Sequence, residues 1–194
     1  NQENLGFSAG NNVGLHAATG EILIILNNDT YVTPGWVRDL SNHLLSDDKL
    51  GLVGPVTNNI GNEARIDIAY ADMAEMIHGA SIYTRRQPGR LFPVRNAAFF
   101  CVAMRREIYE RVGDMDEEFG IGFFEDDDYC RRVEGEGFYV GCAENVFVHH
   151  HLSASFDSLK GDFKKELFDR NKVIYEKKWG PWIPHSYRPT TLTN

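Results

Sequence analysis

The sequence predicts an α/β domain, and three observations predict it. Ile22-Leu23-Ile24-Ile25-Leu26 is a continuous apolar run of strand length, the pattern of a strand covered on both faces in a buried parallel sheet. Leu50 to Val56 is a second such run. Between them Trp36, Val37, Leu40, Leu44 and Leu45 recur at helical spacing, so helix and strand alternate.

The elements follow in order along the chain. Phe7, Asn11, Leu15 and Ala18 form one helical face, with Ser8 as its N-cap and Gly20 as its stop. The strand from Glu21 to Leu26 gives way at once to Asn27-Asn28-Asp29-Thr30 and then Pro34-Gly35, a turn-forming stretch. The helix begun by Trp36 stops before Asp47-Asp48, and the strand Leu50 to Val56 runs into polar, turn-rich chain from Asn58 to Arg65. Tyr70 to Tyr83 carries a helical stripe through Ala71, Ala74 and Ile77. Thr84 to Arg90 is basic, holds Pro88-Gly89 and is expected to be a mobile loop. Ala97 to Met104 reads as a further apolar strand, and Arg106 to Val112 as a short helix closed by Gly113. Gly120 to Phe124 reads as apolar and flexible, and Glu125 to Glu134 as a helix with an acidic start. Phe138 to Val140 and Val146 to His149 are expected as two short strands. Ser158 to Lys178 is a longer helix, with Phe163, Leu167, Phe168 and Ile174 toward a core. From Gly180 onward Pro181, Pro184 and Pro189 predict irregular chain.

Composition narrows the function classes. The 194 residues are 42% hydrophobic and 25% charged, with a formal net charge of −8, which describes an ordinary globular domain rather than a disordered or fibrous chain. The acidic balance argues against nucleic-acid binding, which needs clustered Lys and Arg. The basic pairs Arg85-Arg86, Arg105-Arg106, Lys164-Lys165 and Lys177-Lys178 read as solvated faces. No apolar run approaches the roughly 20 residues of a membrane-spanning helix. Cys101, Cys130 and Cys142 are odd in number and lack Cys-x-x-Cys spacing, so they are expected to be reduced, buried thiols in a cytoplasmic protein.

Three polar constellations lie at predicted strand ends. Asn27-Asn28-Asp29 follows a buried strand, the place where open α/β sheets bind ligands. A carboxylate flanked by amide oxygens there suits a hard cation such as Mg²⁺ or Mn²⁺ holding a phosphate, and it also suits a turn whose Asp caps the next helix. Glu125-Asp126-Asp127-Asp128 fits a helix start, where the macrodipole favours negative charge. Helical geometry separates the faces of Asp126 and Asp127, so one carboxylate can meet a cleft as a general base, while Asp128 can pair with Arg131 or Arg132. His149-His150-His151 ends a strand, and alternation turns His150 away from the other two. The run reads either as surface histidines or as one ligand, any of the three, completing the shell begun at Asp29.

Taken together, the motifs resemble glycosyltransferase family 2, the inverting sugar-nucleotide transferases of GT-A fold. Asn4-Leu5-Gly6-Phe7-Ser8-Ala9-Gly10-Asn11-Asn12, Ala18-x-Gly20, Ile25-Leu26-Asn27-Asn28-Asp29-Thr30 and Pro34-Gly35-Trp36 follow the family pattern in order. So do Met104-Arg105-Arg106-Glu107, Gly113-x-x-Asp116-Glu117-x-Phe119, Phe124-Glu125-Asp126-x-Asp128-x-Cys130-x-Arg132 and His150-x-x-Ser153-Ala154-Ser155. The nearest resemblance is to transferases of rhamnan, O-antigen and other surface polysaccharides, including rhamnosyltransferases.

The resemblance implies a mixed sheet with flanking helices. It implies a divalent cation at Asp29, where Asn27-Asn28-Asp29 stands for the Asp-x-Asp motif, with His150 as a further ligand. Asp126 becomes the base that deprotonates the acceptor hydroxyl, and Glu125 contacts the acceptor or holds the base. Gly6, Phe7, Asn11, Asn27 and Asn28 come to lie near the nucleotide. The donor is a nucleotide-diphosphate sugar and the acceptor a glycan or lipid-linked hydroxyl, with peripheral membrane association at the inner face.

The family normally opens with two further βα units, about 60 to 80 residues. Residues 1–180 are therefore expected to be an N-terminally truncated catalytic domain, inactive by itself, and 181–194 an irregular tail. Three other readings stand beside this one. The chain could be a non-catalytic glycan- or partner-binding remnant, separated by calorimetry with a sugar nucleotide and Mn²⁺. It could be a hydrolase with Asp29, Asp126 and His150 around one metal, or a Ca²⁺ site at Glu125 to Asp128, although that run lacks the spacing of an EF-hand.

Overall fold

The computed structural model describes residues 3–151 and 161–188. Its strands are β1 (Ile22–Leu26), β2 (Thr30–Val32), β3 (Leu50–Val56), β4 (Leu91–Pro93), β5 (Cys101–Arg105) and β6 (Tyr139–His150). Its helices are α1 (Phe7–Ala17), α2 (Trp36–Ser46), α3 (Met73–Arg85), α4 (Arg106–Val112), α5 (Glu125–Gly135) and α6 (Gly161–Trp179), with a 3-10 turn at Glu117–Phe119 before α5.

The strands form one sheet in the order β1-β5-β3-β6-β2, and β4 also pairs with β6. The sheet is mixed, as the family pattern implies: β3 and β6 are parallel, and every other pairing is antiparallel. This corrects the expectation of a parallel β1, which pairs antiparallel with β5. The apolar run was right about burial on two faces. Leu23 and Ile25 join the core on one side of the sheet, and Ile22 and Ile24 pack against the core on the other. An unbroken apolar run reports covered faces and carries no information about strand direction.

One core holds Leu52, Met104, Ile108, Tyr129 and Val133, under α4 and α5. The other holds Leu40 and Leu44 of α2 against Leu50, Val53 and Val148. Phe119, Phe124 and Tyr175 form a third cluster, with Phe168, Trp179 and Trp182 packed on it, and join α6 to the turn before α5. Among the described residues no helix is long and apolar enough to cross a membrane. The three cysteines are buried and free.

Several boundaries differ from expectation. The first helix is capped by Gly6, while Ser8 lies inside it and is buried. β6 is one strand where two were expected. Its register shifts between Pro55↔Ala143 and Val56↔Phe147, so Glu144, Asn145 and Val146 bulge without ending the strand. Residues 97–100 precede β5 rather than forming part of it. β2 and β4 were not foreseen. Each is three residues long and exists by pairing with β6. The Thr84 to Arg90 stretch, expected as a mobile loop, instead holds the end of α3 and closes in tight turns, Gln87 N–H to Thr84 O at 3.0 Å and Arg90 N–H to Gln87 O at 3.1 Å. Phe163, expected in the core, is exposed, whereas Leu167 is buried.

Candidate active site

Asp29 follows β1 and precedes β2. Its position is fixed by main chain: the His151 N–H donates to Asp29 O at 2.9 Å, and Thr30 registers with His150 across the β2–β6 pair. This short pairing brings the first and third constellations together. His150 Nε2 stands 3.4 Å from Asp29 Oδ1. The other ring nitrogen, Nδ1, lies 3.2 Å from Asn59 O and donates to it, which fixes the ring orientation and turns Nε2 toward Asp29. Asn58 clamps the same backbone, accepting from His150 N–H at 2.8 Å and donating to His150 O at 3.1 Å.

Asp29 Oδ1 is buried and has no hydrogen-bond partner. A buried carboxylate oxygen without a hydrogen-bond donor is unsatisfied, and a cation beside it relieves it. The donor set fits a divalent cation. Among the described residues no group of three or more His, Cys, Asp or Glu side chains is placed for a metal. That suits Mg²⁺ or Mn²⁺, which takes one or two protein ligands and fills its shell with phosphate oxygens and water. The alternative of Asp29, Asp126 and His150 around one ion is thereby corrected.

The second centre is the start of α5. Phe123 and Phe124 both have φ of 72°, a left-handed conformation that costs bulky residues of order 1–3 kcal/mol each. The strain is held by α6, whose buried Asn171 donates from Nδ2 to Phe119 O, Gly122 O and Phe123 O at 2.7, 2.7 and 3.2 Å. The Gly120 to Phe124 segment, expected to be flexible, is thus tied at three carbonyls. The four carboxylates then divide. Asp128 is fully buried and joins helices, accepting from Arg132 Nε at 3.0 Å and Trp179 Nε1 at 2.8 Å, with Lys178 Nζ at 2.5 Å. Of the two expected arginine partners it takes Arg132. Asp127 faces His185 of the C-terminal segment at 3.3 Å.

Glu125 is buried and its Oε2 has no partner. Burial, then the Asp126 charge, pushes its carboxyl up to about 8. Burial and the Asp127 charge push Asp126 up to about 6, opposed by the Asp127 amide, the His185 charge and the Asn96 side chain. Burial alone would lower His185, but the hydrogen bond and charge of Asp127 outweigh it and raise it.

One short segment joins the two centres. At one end the Asn96 side chain opposes the rise of the Asp126 carboxyl. Four residues on, Phe100 O accepts from Asn27 N–H at 2.8 Å, and the Phe100 ring stacks on His150 at 4.8 Å between centroids. Four residues of extended chain span at most about 14 Å, so this segment bounds the distance between its Asn96 and Phe100 ends.

Asn27 and Asn28 stand beside Asp29 in the turn after β1. Gly6, Phe7 and Asn11 are placed against the other centre. The Phe7 N–H donates to Gly120 O at 3.1 Å, and a side chain on Gly6 (φ 84°) would come within 2.5 Å of that carbonyl, so only glycine allows the approach. Asn11 Nδ2 turns back to Phe7 O at 2.9 Å. Ser153 to Ser155 lie outside the described residues. Sequence reasoning missed Asn58, Asn96, Phe100 and His185. Asn58 and Asn96 carried only a weak signal, polar residues beside apolar runs. Phe100 looked like core, and His185 sits in a stretch with no pattern.

Comparison with known proteins places the chain. The family model "Glycosyl transferase family 2" matches residues 1–113, the stretch that carries Asp29 and the strands around it. The low-salt glycan biosynthesis hexosyltransferase Agl10 of Haloferax volcanii is 23% identical over 179 residues, 88% of this chain and 57% of that protein. The O-antigen biosynthesis protein RfbC of Myxococcus xanthus is 28% identical over 160 residues, 77% of this chain and 12% of that protein. The chain thus spans just over half the length of one relative and a small part of the other. The crystal structure of GalNAc-T7 with UDP, GalNAc and Mn²⁺ superposes with a TM-score of 0.57 at 16% identity, covering 77% of this chain and 31% of that one. With more than half of the sequence matched and the mixed sheet shared, the chain belongs to glycosyl transferase family 2 and has the GT-A fold.

Proposed function

We propose that the protein transfers a sugar, with inversion, from a nucleotide-diphosphate donor to a hydroxyl of a glycan or lipid-linked acceptor, in cell-surface polysaccharide synthesis at the cytoplasmic face of the membrane. The observation that carries this reading is the meeting of Asp29 with His150 at 3.4 Å across the β2–β6 pair, with Phe100 of the chain before β5 stacked on His150 and Asn96 of the same chain acting on Asp126. Displacement at an anomeric carbon needs those two functions within one sugar-sized gap. A nucleophile is activated on one face while charge is neutralised at the leaving diphosphate on the other.

Asp29 and His150 would hold the divalent cation, which, when bound, supplies positive charge to the diphosphate oxygens. Asn58 and Asn59 hold His150 with Nε2 free for that role. Asn27 and Asn28 line the donor side, while Gly6 and Phe7 approach Gly120 in the chain before α5. Asp126 accepts the proton of the acceptor hydroxyl as its oxygen bonds to the anomeric carbon, and the diphosphate leaves with the electron pair of the broken bond. With its carboxyl pushed up to about 6, Asp126 is ionised at neutral pH and basic enough for general-base work. Glu125, raised further, stays protonated there and donates a hydrogen bond toward acceptor or base. Support also comes from relatives named for hexosyl transfer and O-antigen synthesis and from a fold neighbour solved with UDP and Mn²⁺.

The test is calorimetry of the enzyme with UDP- and GDP-sugars, with and without Mn²⁺, followed by NMR of the product anomer. Mn²⁺-dependent binding and an inverted anomer are expected. Retained configuration would overturn the mechanism. Glycan affinity without sugar-nucleotide affinity would replace it with a binding module.

A further inference from the structure

A cavity of about 650 Å³ opens between α2, α3 and the bulge of β6. It lies where the edge of β6 changes partner. Leu91 to Pro93 cover residues 141–143 and Thr30 to Val32 cover 148–150, leaving the bulge between them. Thr33 lines the cavity. It is four residues beyond Asp29 along an extended strand, about 13 Å, so the cavity stands apart from the proposed transfer site.

Its polar groups are held in place from outside. The bulge turns Asn145 into the cavity, and His43 Nε2 of α2 donates to Asn145 Oδ1 at 2.6 Å, which leaves the amide NH₂ for a ligand. Arg38 is pinned by Asp39 through two bonds, 2.7 and 3.2 Å. Its guanidinium lies across Gly35, where a side chain would come within 2.8 Å of Nη2. This pairing neutralises Asp39, the acidic residue of the lining. Trp36 supplies an aromatic wall with an indole N–H, and Arg85 stands exposed at the rim. Arg86 and Arg90 follow within the same turn region.

The Arg38–Asp39 pair cancels in charge, so the lining offers N–H donors and one unbalanced positive charge, Arg85, in a protein of net charge −8. An aromatic face beside a fixed amide donor matches a sugar ring. Arg85 matches an anionic substituent. The volume is within the range of small-molecule sites. We propose that this cavity binds a saccharide bearing a carboxylate or a phosphate. The site also gives a use to the Arg85-Arg86 pair, which the transfer chemistry leaves idle.

The test needs no turnover, so it stands or falls separately from the transfer reading. The protein labelled with ¹⁵N is titrated with glucuronate, glucose 1-phosphate, glucose and inorganic phosphate, following the Trp36 indole and Asn145 amide signals. Saturable shifts are expected with glucuronate or glucose 1-phosphate, and glucose should bind at least about tenfold more weakly, since charge-assisted bonds to arginine are lost. The tighter of the two anionic sugars tells whether carboxylate or phosphate is read. Arg85→Glu changes an exposed side chain, and Asn145→Asp keeps an acceptor for His43 while exchanging the donor for a negative charge. Each is expected to weaken binding about tenfold or more. The proposal is overturned by an absence of saturable shifts, by glucose binding as tightly as the anionic sugars, by inorganic phosphate matching them, or by both variants binding as the parent does.

Discussion

Asp126 and Glu125 are neighbours in sequence with opposite proposed tasks. Asp126 is half-buried, while Glu125 is enclosed with Oε2 unsatisfied. Replacing Asp126 by Asn removes the proposed base and keeps the shape. Turnover is expected to fall by about 10²–10⁴-fold with sugar-nucleotide affinity retained, as steady-state kinetics and calorimetry would show. In the parent enzyme kcat/KM should fall as pH drops through about 6, the value to which Asp126 is raised, because the base becomes protonated. At the other centre, Asn58→Ala should cost about 10–100-fold in Mn²⁺ affinity, the usual effect of losing a group that orients a metal-binding His. Unchanged Mn²⁺ titrations would reject the clamp. Carboxylates and imidazoles stand out at strand ends in the sequence, and the family resemblance singled out Asp29, Glu125, Asp126 and His150 among them. It could not name Asn58 or Asn96, since an amide in a polar loop has no distinctive signature until its partner is known.

α5 shows how an element stores cost at a site. Its entry passes through Phe123 and Phe124 in left-handed conformation, and Asn171 of α6 holds three carbonyls there. Asn171→Leu leaves those acceptors buried without donors and should destabilise the protein by about 3 kcal/mol, read as a lowered urea midpoint. Transfer should slow as well, because the base is mounted on the next turn. Glu125 gives an opposite effect. Its folded pKa is raised to about 8 above the ordinary carboxylate value, so the folded state favours the protonated form. The stability it contributes is complete below about pH 4 and is lost as pH rises through about 8. Glu125→Gln should therefore raise the unfolding temperature at pH 8 and leave it nearly unchanged at pH 4. The helix itself was legible in the acidic start and apolar spacing of residues 125–134. The strained entry was not, because Gly-Ile-Gly-Phe-Phe describes an apolar loop equally well in many conformations.

Across the whole molecule the segment from Pro181 to Arg188 has no helix or strand yet closes one side of the structure. Arg188 reaches buried Glu144 in the β6 bulge at 2.6 Å, bonds Glu63 O and lies over Phe92, while His185 meets Asp127 and Trp182 packs on Phe124. Arg188→Ala leaves the buried Glu144 carboxylate without its cation, with the Tyr83 hydroxyl as its remaining donor, and should cost about 3 kcal/mol, with faster hydrogen exchange expected along residues 181–188. Exchange unchanged there would show that the ion pair does not hold the segment. The sequence by itself determined the α/β class, most helix limits, β3 to the residue and the four groups of the proposed chemistry, because these depend on local periodicity and on side-chain type. Only the tertiary structure decided strand direction at β1, the existence of β2 and β4, the single bulged β6, and the meeting of Asp29 with His150. Those features depend on pairing between residues far apart in the chain, and a three-residue strand or an irregular tail acquires its structure from the partner it touches.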